Sequence, residues 1–308
     1  MIIRPRPSLL QLFFILRGSV ITRIFPQVLV VFALSALIVE GHRISPGLIS
    51  GGSGAPFTLL GIALSIFLGF RNNACYDRWW EARKEWGLLI TAARDFARQT
   101  LMLEAKPEIA STGARARLLH LAVAFAQALV CHLRPGQDVA KARAKLPADL
   151  LPAFDTSRNP PDVILRRIGT IVAELQARAQ ISDIQFSILD STIGRMSGVL
   201  AACERIRNTP VPFGYTLLLH RTAYIFCFLL PFGFADALGW GTPFAAALVA
   251  YTFFGLDALG DELEEPFGNL ANALPIQALA DTIEINLREA LGETDLPPLP
   301  QPRDYLLM

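Results

Sequence analysis

PFTLLGIALSIFLGFRNNACYDRWWEARKEWG, residues 56–87, decides the fold. The first half is an uncharged apolar run, and crossing the hydrocarbon of a bilayer takes about 20 mostly apolar helical residues. The run stops at Arg71, after which Arg78, Trp79, Trp80, Glu81, Arg83 and Trp86 crowd together. Tryptophan gathers at membrane interfaces and arginine snorkels toward water, so this composition marks a span leaving the bilayer. The predicted element is a second span with a cytosolic extension over 56–83.

The rest of the chain agrees with a membrane solvent. Of 308 residues, 52% are hydrophobic and 18% charged, against about 25% charged in an average soluble domain. The mean hydropathy is +0.40. Three further spans are predicted, over 24–40, 210–237 and 240–257. The first is short for a full crossing, and the third is interrupted by His220, Arg221 and Pro231. Residues 1–23, with Arg4 and Arg6 ahead of a short apolar run, read as a retained interfacial helix and not as a cleaved leader. ISPGLISGGSGAP, from Ile44, reads as the loop before the second span.

Between the second and third spans the pattern changes. Charges recur every few residues over 84–207, and apolar residues fall at helical spacing in LLHLAVAFAQALVCHL (118–133) and ILRRIGTIVAEL (164–175). This is expected to be a water-facing helical region, with 258–308 as a second cytosolic segment. Arg4, Arg6, Arg17 and Arg23 precede the first span, Arg71, Arg78, Arg83 and Lys84 follow the second, and Arg205 and Arg207 precede the third. The opposite loops carry only Arg43, so both termini are expected on the cytoplasmic side of the cell's inner membrane.

Little in the chain points to catalysis. No nucleophile, paired-acid or phosphate-binding arrangement is present, and His42, His120 and His132 form no ligand pattern. Cys75, Cys131, Cys203 and Cys227 lack a CxxC spacing and read as buried, reduced thiols. No enzyme activity, cofactor or metal site is therefore expected, and a net charge of +1 gives no pull toward nucleic acid. His220 and Arg221 are costly in lipid and should face protein or water. Asp77 has Arg78 and Glu81 within reach for a network that fixes its helix. Ile62, Ile66 and Phe70, four apart, share one helical face. Spacing alone leaves two readings of them open: a lipid-facing or packing stripe, or a ring around a symmetry axis that gates ions by wetting.

Three motifs in order resemble the bacterial branch of the bestrophin family: GFRNNACYDRWWEARKEWG (69–87), ERIRNTPVPFGYTLLLHR (204–221) and DELEEPFGN (261–269). The resemblance implies an all-α membrane protein with four spans per subunit, a large cytosolic helical part, and a homopentamer around one central pore. It implies passive conduction of monovalent inorganic ions, with cations such as sodium favoured in bacterial members and an anion channel, for chloride, as the alternative within the same fold. A membrane-anchored scaffold or membrane enzyme is the alternative from another class. On the same resemblance Ile62, Ile66 and Phe70 match the apolar rings of the neck. Ile184 matches a second, cytosolic constriction, or Ile181 if the helix is shifted. Calcium-activated members carry acids just after the PFG triplet, whereas here NLANALP follows. Calcium needs about six to eight oxygen ligands, so calcium gating is not expected.

Overall fold

A computed structural model describes residues 1–5, 7–8, 10–11, 14–16, 18–45, 54–134 and 136–307. Among them the long elements are all helices: α1 (Ile21–Ile44), α2 (Ala55–Gln99), α3 (Ala114–Leu133), α4 (Pro160–Ala177), α5 (Asp183–Asn208), α6 (Phe213–Leu238), α7 (Thr242–Glu264) and α8 (Ile276–Ala290). The chain divides into two compact units, residues 4–79 with 210–266, and residues 1–3 with 80–209 and 267–308.

The first unit holds four candidate membrane segments: α1, the part of α2 up to Trp79, α6 and α7. α1 is longer than the 24–40 expected from the apolar run. Its 24 residues span about 36 Å at 1.5 Å per residue, enough to cross the hydrocarbon unaided. Glu40 does not end it, because Arg43 one turn later pairs with that carboxylate at 3.0 Å. The interfacial helix expected over 1–23 falls partly outside the described residues. Those that are described show helical geometry at Leu10 and Gln11 and then no regular helix before Ile21. Most of the Gly-rich loop expected before α2 also lies outside them.

α6 and α7 are joined by a single 3-10 turn, Gly239–Gly241, with Gly239 at φ +49°, a conformation that favours glycine. Trp240, expected to open the fourth span, sits in that turn. The unit's core draws Ile24 and Val31 from α1, Leu64 and Leu68 from α2, Leu219, Ala223, Phe226 and Leu230 from α6, and Ala246, Ala250, Phe253 and Phe254 from α7. Small residues bring these helices close, as membrane packing requires. A Cβ on Gly61 would lie 3.1 Å from the Phe226 ring, and one on Gly233 would overlap the Phe57 ring.

In the second unit α3 is the central helix, packed against α4, α5 and α8. By length and composition α3 also qualifies as a membrane span, yet 72% of its most apolar window is buried within the chain, against 28% for α1 and 17% for α2. A helix apolar on all sides is the core of its own bundle when protein covers it. The stretch 118–133, read by its spacing as a helix of the 84–207 region, is thus the enclosed core of that bundle. α4 starts at Asn159, whose side chain accepts from the Asp162 N–H, with Pro160 and Pro161 in its first turn. α5 starts at a capping box in which Ser182 and Gln185 satisfy each other's backbone N–H groups.

Candidate functional site

Along α2 the buried side chains recur every three or four residues: Leu64, Leu68, Arg71 and Cys75, then Ala82, Trp86, Leu89, Ala93 and Phe96. This spacing draws one seam along the helix. In the membrane unit the opposite face carries Ile62, Ile66 and Phe70, which are 55%, 51% and 61% exposed. Three large apolar side chains therefore line one side of a helix whose other side is already packed. Trp86, expected as part of an interfacial anchor, is fully buried in the seam instead, because its position repeats the spacing of Ala82 and Leu89.

The same seam carries Arg71, the residue after Phe70. It does not snorkel. Its side chain is fully buried, with Nη1 at 2.8 Å from Asp257 Oδ1 and Nη2 at 2.6 Å from Asp261 Oδ1 and 3.4 Å from Glu264 Oε2. These three acids follow one another on one face of α7, at i, i+4 and i+7. Asp257 uses its other oxygen on His220 Nδ1 at 2.6 Å, while the His220 side chain is 48% exposed. Arg23 takes the second oxygen of Asp261 at 2.7 Å, and Arg78 donates to the Glu264 carbonyl. Neutralised in this way, α7 runs on to Glu264 beyond the expected end at residue 257. Gly260 makes the approach possible, since a Cβ there would sit 2.6 Å from Asn72 Oδ1 and 2.9 Å from Arg71 Nη1.

This anchor was not read from the sequence. In the sequence Arg71 and the DELEE acids stand far apart, with nothing in either stretch that names the other as its partner. The usable signal was the i, i+4, i+7 spacing of Asp257, Asp261 and Glu264, which puts three acids on one side of an apolar helix and demands a cation. Among the described residues no group of three or more His, Cys, Asp or Glu is placed to hold an ion.

In the other unit Ile184 occupies the first turn of α5 and is 75% exposed, whereas Ile181, before the cap, is 4% exposed. Only Ile184 of this pair offers its side chain outside the chain's own core. Glu81 pairs with Arg205 of α5 at 2.6 Å. His132 and Asn159 both contact Glu204 Oε1, at 2.9 and 2.8 Å. All four cysteines are free thiols, with Cys75, Cys203 and Cys227 buried and Cys131 partly so.

A family model described as Bacterial/Fungal Bestrophin protein matches residues 1–289. The chain belongs to the bestrophin family. It is 45% identical over 305 residues to a voltage-dependent anion channel-forming protein of Mesorhizobium japonicum, covering 99% of this chain and 97% of that one. It is 41% identical over 297 residues to the voltage-dependent anion channel-forming protein YneE of Salmonella typhi, covering 96% of each. The crystal structure of a bacterial bestrophin homolog from Klebsiella pneumoniae superposes with a TM-score of 0.83 at 38% identity, over 89% of this chain and all of that one. Bestrophins are channels and not an enzyme family, so this multi-pass bestrophin is an ion-channel protein, as its three sequence motifs imply.

Proposed function

We propose that this bestrophin assembles as a homopentamer whose central pore conducts monovalent inorganic ions passively. Ile62, Ile66 and Phe70 form successive rings of an apolar neck, and Ile184 forms a separate cytosolic constriction. The observation that supports this reading is the large apolar stripe left exposed directly opposite a packed seam. Rings of hydrocarbon cannot replace an ion's hydration shell, so conduction requires the neck to wet or widen. The basic flanks of the spans support an inner-membrane orientation with both termini cytoplasmic.

Cations are the favoured permeants in this proposal. Arg71, the first charge after the stripe, is turned into the core and neutralised. The first charge on the stripe's own face is Asp77, one heptad beyond Phe70, and it is exposed. Five such carboxylates at one mouth attract cations. The second reading, an anion channel, is supported by the names of the relatives from Mesorhizobium and Salmonella. Reconstituted protein measured under a salt gradient separates them. Cation selectivity gives a reversal potential near the cation equilibrium value that moves toward zero in Asp77→Asn, and the opposite sign overturns the cation reading. Native mass spectrometry of the same preparation tests the five-fold assembly.

A further inference from the structure

In the cytosolic unit a cleft of about 380 Å³ opens between the end of α2, the start of α3 and the end of α8. Arg94, Arg98 and Arg115 line it together with Asn286, on a floor made by Ala97, Leu101, Leu287 and Ala290. Among the described residues no acidic side chain lines it. Ligand sites for small molecules have volumes from about 300 Å³ upward and combine an apolar wall with a few convergent polar groups.

The charge around the cleft is unevenly balanced. Arg115 pairs with Glu104 at 2.8 Å. Asp95 is shared between Arg98 and Arg195, at 3.3 and 2.9 Å. Arg94 has no ion-pair partner among the described residues. Four guanidinium groups thus meet two carboxylates, neither of which lines the cleft. Donors are also left over. Arg115 is more than nine-tenths buried, with Nη1 and Nη2 occupied by Glu104 and the Ala97 and Ala290 carbonyls, while its Nε–H has no hydrogen-bond partner. The Asn286 side-chain amide nitrogen is likewise buried without an acceptor. Both residues line the cleft beside the exposed guanidinium groups of Arg94 and Arg98, and an acceptor-rich anion seated there is the group that draws on spare donors of this kind.

We propose that this cleft binds a small organic anion, a phosphate or carboxylate carried on an apolar body, with Arg94, Arg98, Arg115 and Asn286 on the charged end and Ala97, Leu101 and Leu287 against the apolar end. A guanidinium presents parallel donors that match such oxygens, and charge-assisted bonds of this kind are about twice as strong as neutral ones.

The test is isothermal titration calorimetry on the full-length protein in detergent, with phenyl phosphate and inorganic phosphate as probes. Binding does not depend on conduction, so the result stands apart from the pore reading. Phenyl phosphate is expected to bind saturably and more tightly than inorganic phosphate. Affinity should fall by about tenfold or more in the Arg94→Gln, Arg98→Gln double variant. Both side chains are exposed, so the fold should survive, and Asn286→Ala supplies an independent loss of one donor. Absence of saturable binding, as when a neighbouring subunit fills the cleft, overturns the proposal. So does equal affinity in the double variant or equal affinity for the two probes.

Discussion

Arg71 Nη1 lies 2.8 Å from Asp257 Oδ1 with both side chains out of contact with solvent, in the membrane unit and one residue after the proposed neck. Removing one member of a buried ion pair strands the other, at a cost of about 3–5 kcal/mol. Arg71→Met and Asp257→Asn are therefore expected to lower the melting temperature sharply in detergent and to reduce assembled protein. Asp261→Asn should cost much less, because that carboxylate is partly exposed and Arg71 keeps two other partners. Equal losses in the three variants would show that the cluster is not organised around Asp257.

Shortening the stripe separates gating from packing. A buried large apolar side chain costs about 2–5 kcal/mol when cut to alanine, but Ile66 and Phe70 are exposed on their own chain. Ile66→Ala and Phe70→Ala are expected to raise single-channel conductance with little change in melting temperature, and Ile184→Ala to shift permeability ratios. Lowered stability with unchanged conductance would assign the stripe to packing and remove it from the gate.

Glycine positions give a graded series. Gly260→Ala pushes a methyl into Arg71 and Asn72, and Gly233→Ala pushes one into the Phe57 ring. Overpacking of this kind costs about 1–3 kcal/mol. Gly198, inside α5, has open space around its Cβ position. There alanine is expected to stabilise by up to about 1 kcal/mol through helix propensity alone. Thermal melts of the three variants check the order.

Calcium is expected to leave conductance unchanged. Of the four acids before the PFG triplet, Asp261 and Glu264 are held by Arg71, and the segment after it offers Asn269 and Asn272 without acids. Recordings with and without a chelator decide this, and micromolar activation would show that another oxygen set assembles.

Thiol labelling should find one reactive cysteine at neutral pH. Cys203 is buried, and burial together with the carboxylates of Glu85, Glu204 and Glu81 pushes its thiol well above the usual range. Cys75 and Cys227 are also buried. Maleimide under native conditions is expected to modify Cys131 first and slowly, since burial raises its pKa too. Peptide mass spectrometry reads the site, and rapid modification of Cys203 would mean that α5 opens readily.

How far the sequence reaches is visible at particular residues. The four long apolar stretches are legible because runs of that length with so few charges have one common solvent, and even the third keeps its pattern through His220 and Arg221. Their ends were less so, since Glu40 and Asp257 look like stop signals until Arg43 and Arg71 cancel them. Composition could not tell α3 from a span, because the same apolar helix suits lipid or a protein core. The stripe at Ile62, Ile66 and Phe70 was visible by spacing, but its freedom from the core depends on Leu64 and Leu68 being the packed side. Ile184 separates from Ile181 only once the Ser182 cap fixes where α5 begins.

The partners of the buried pair are 186 residues apart in the chain. At a synthesis rate of about 5–20 residues per second, Arg71 waits roughly 10–40 s for Asp257 to be made. During that interval the guanidinium has no carboxylate from α7 to meet and keeps its water by reaching toward the interface. The contact between the two helices therefore closes late in the birth of the subunit, and a chain broken off before residue 257 lacks the partner that draws this charge inside.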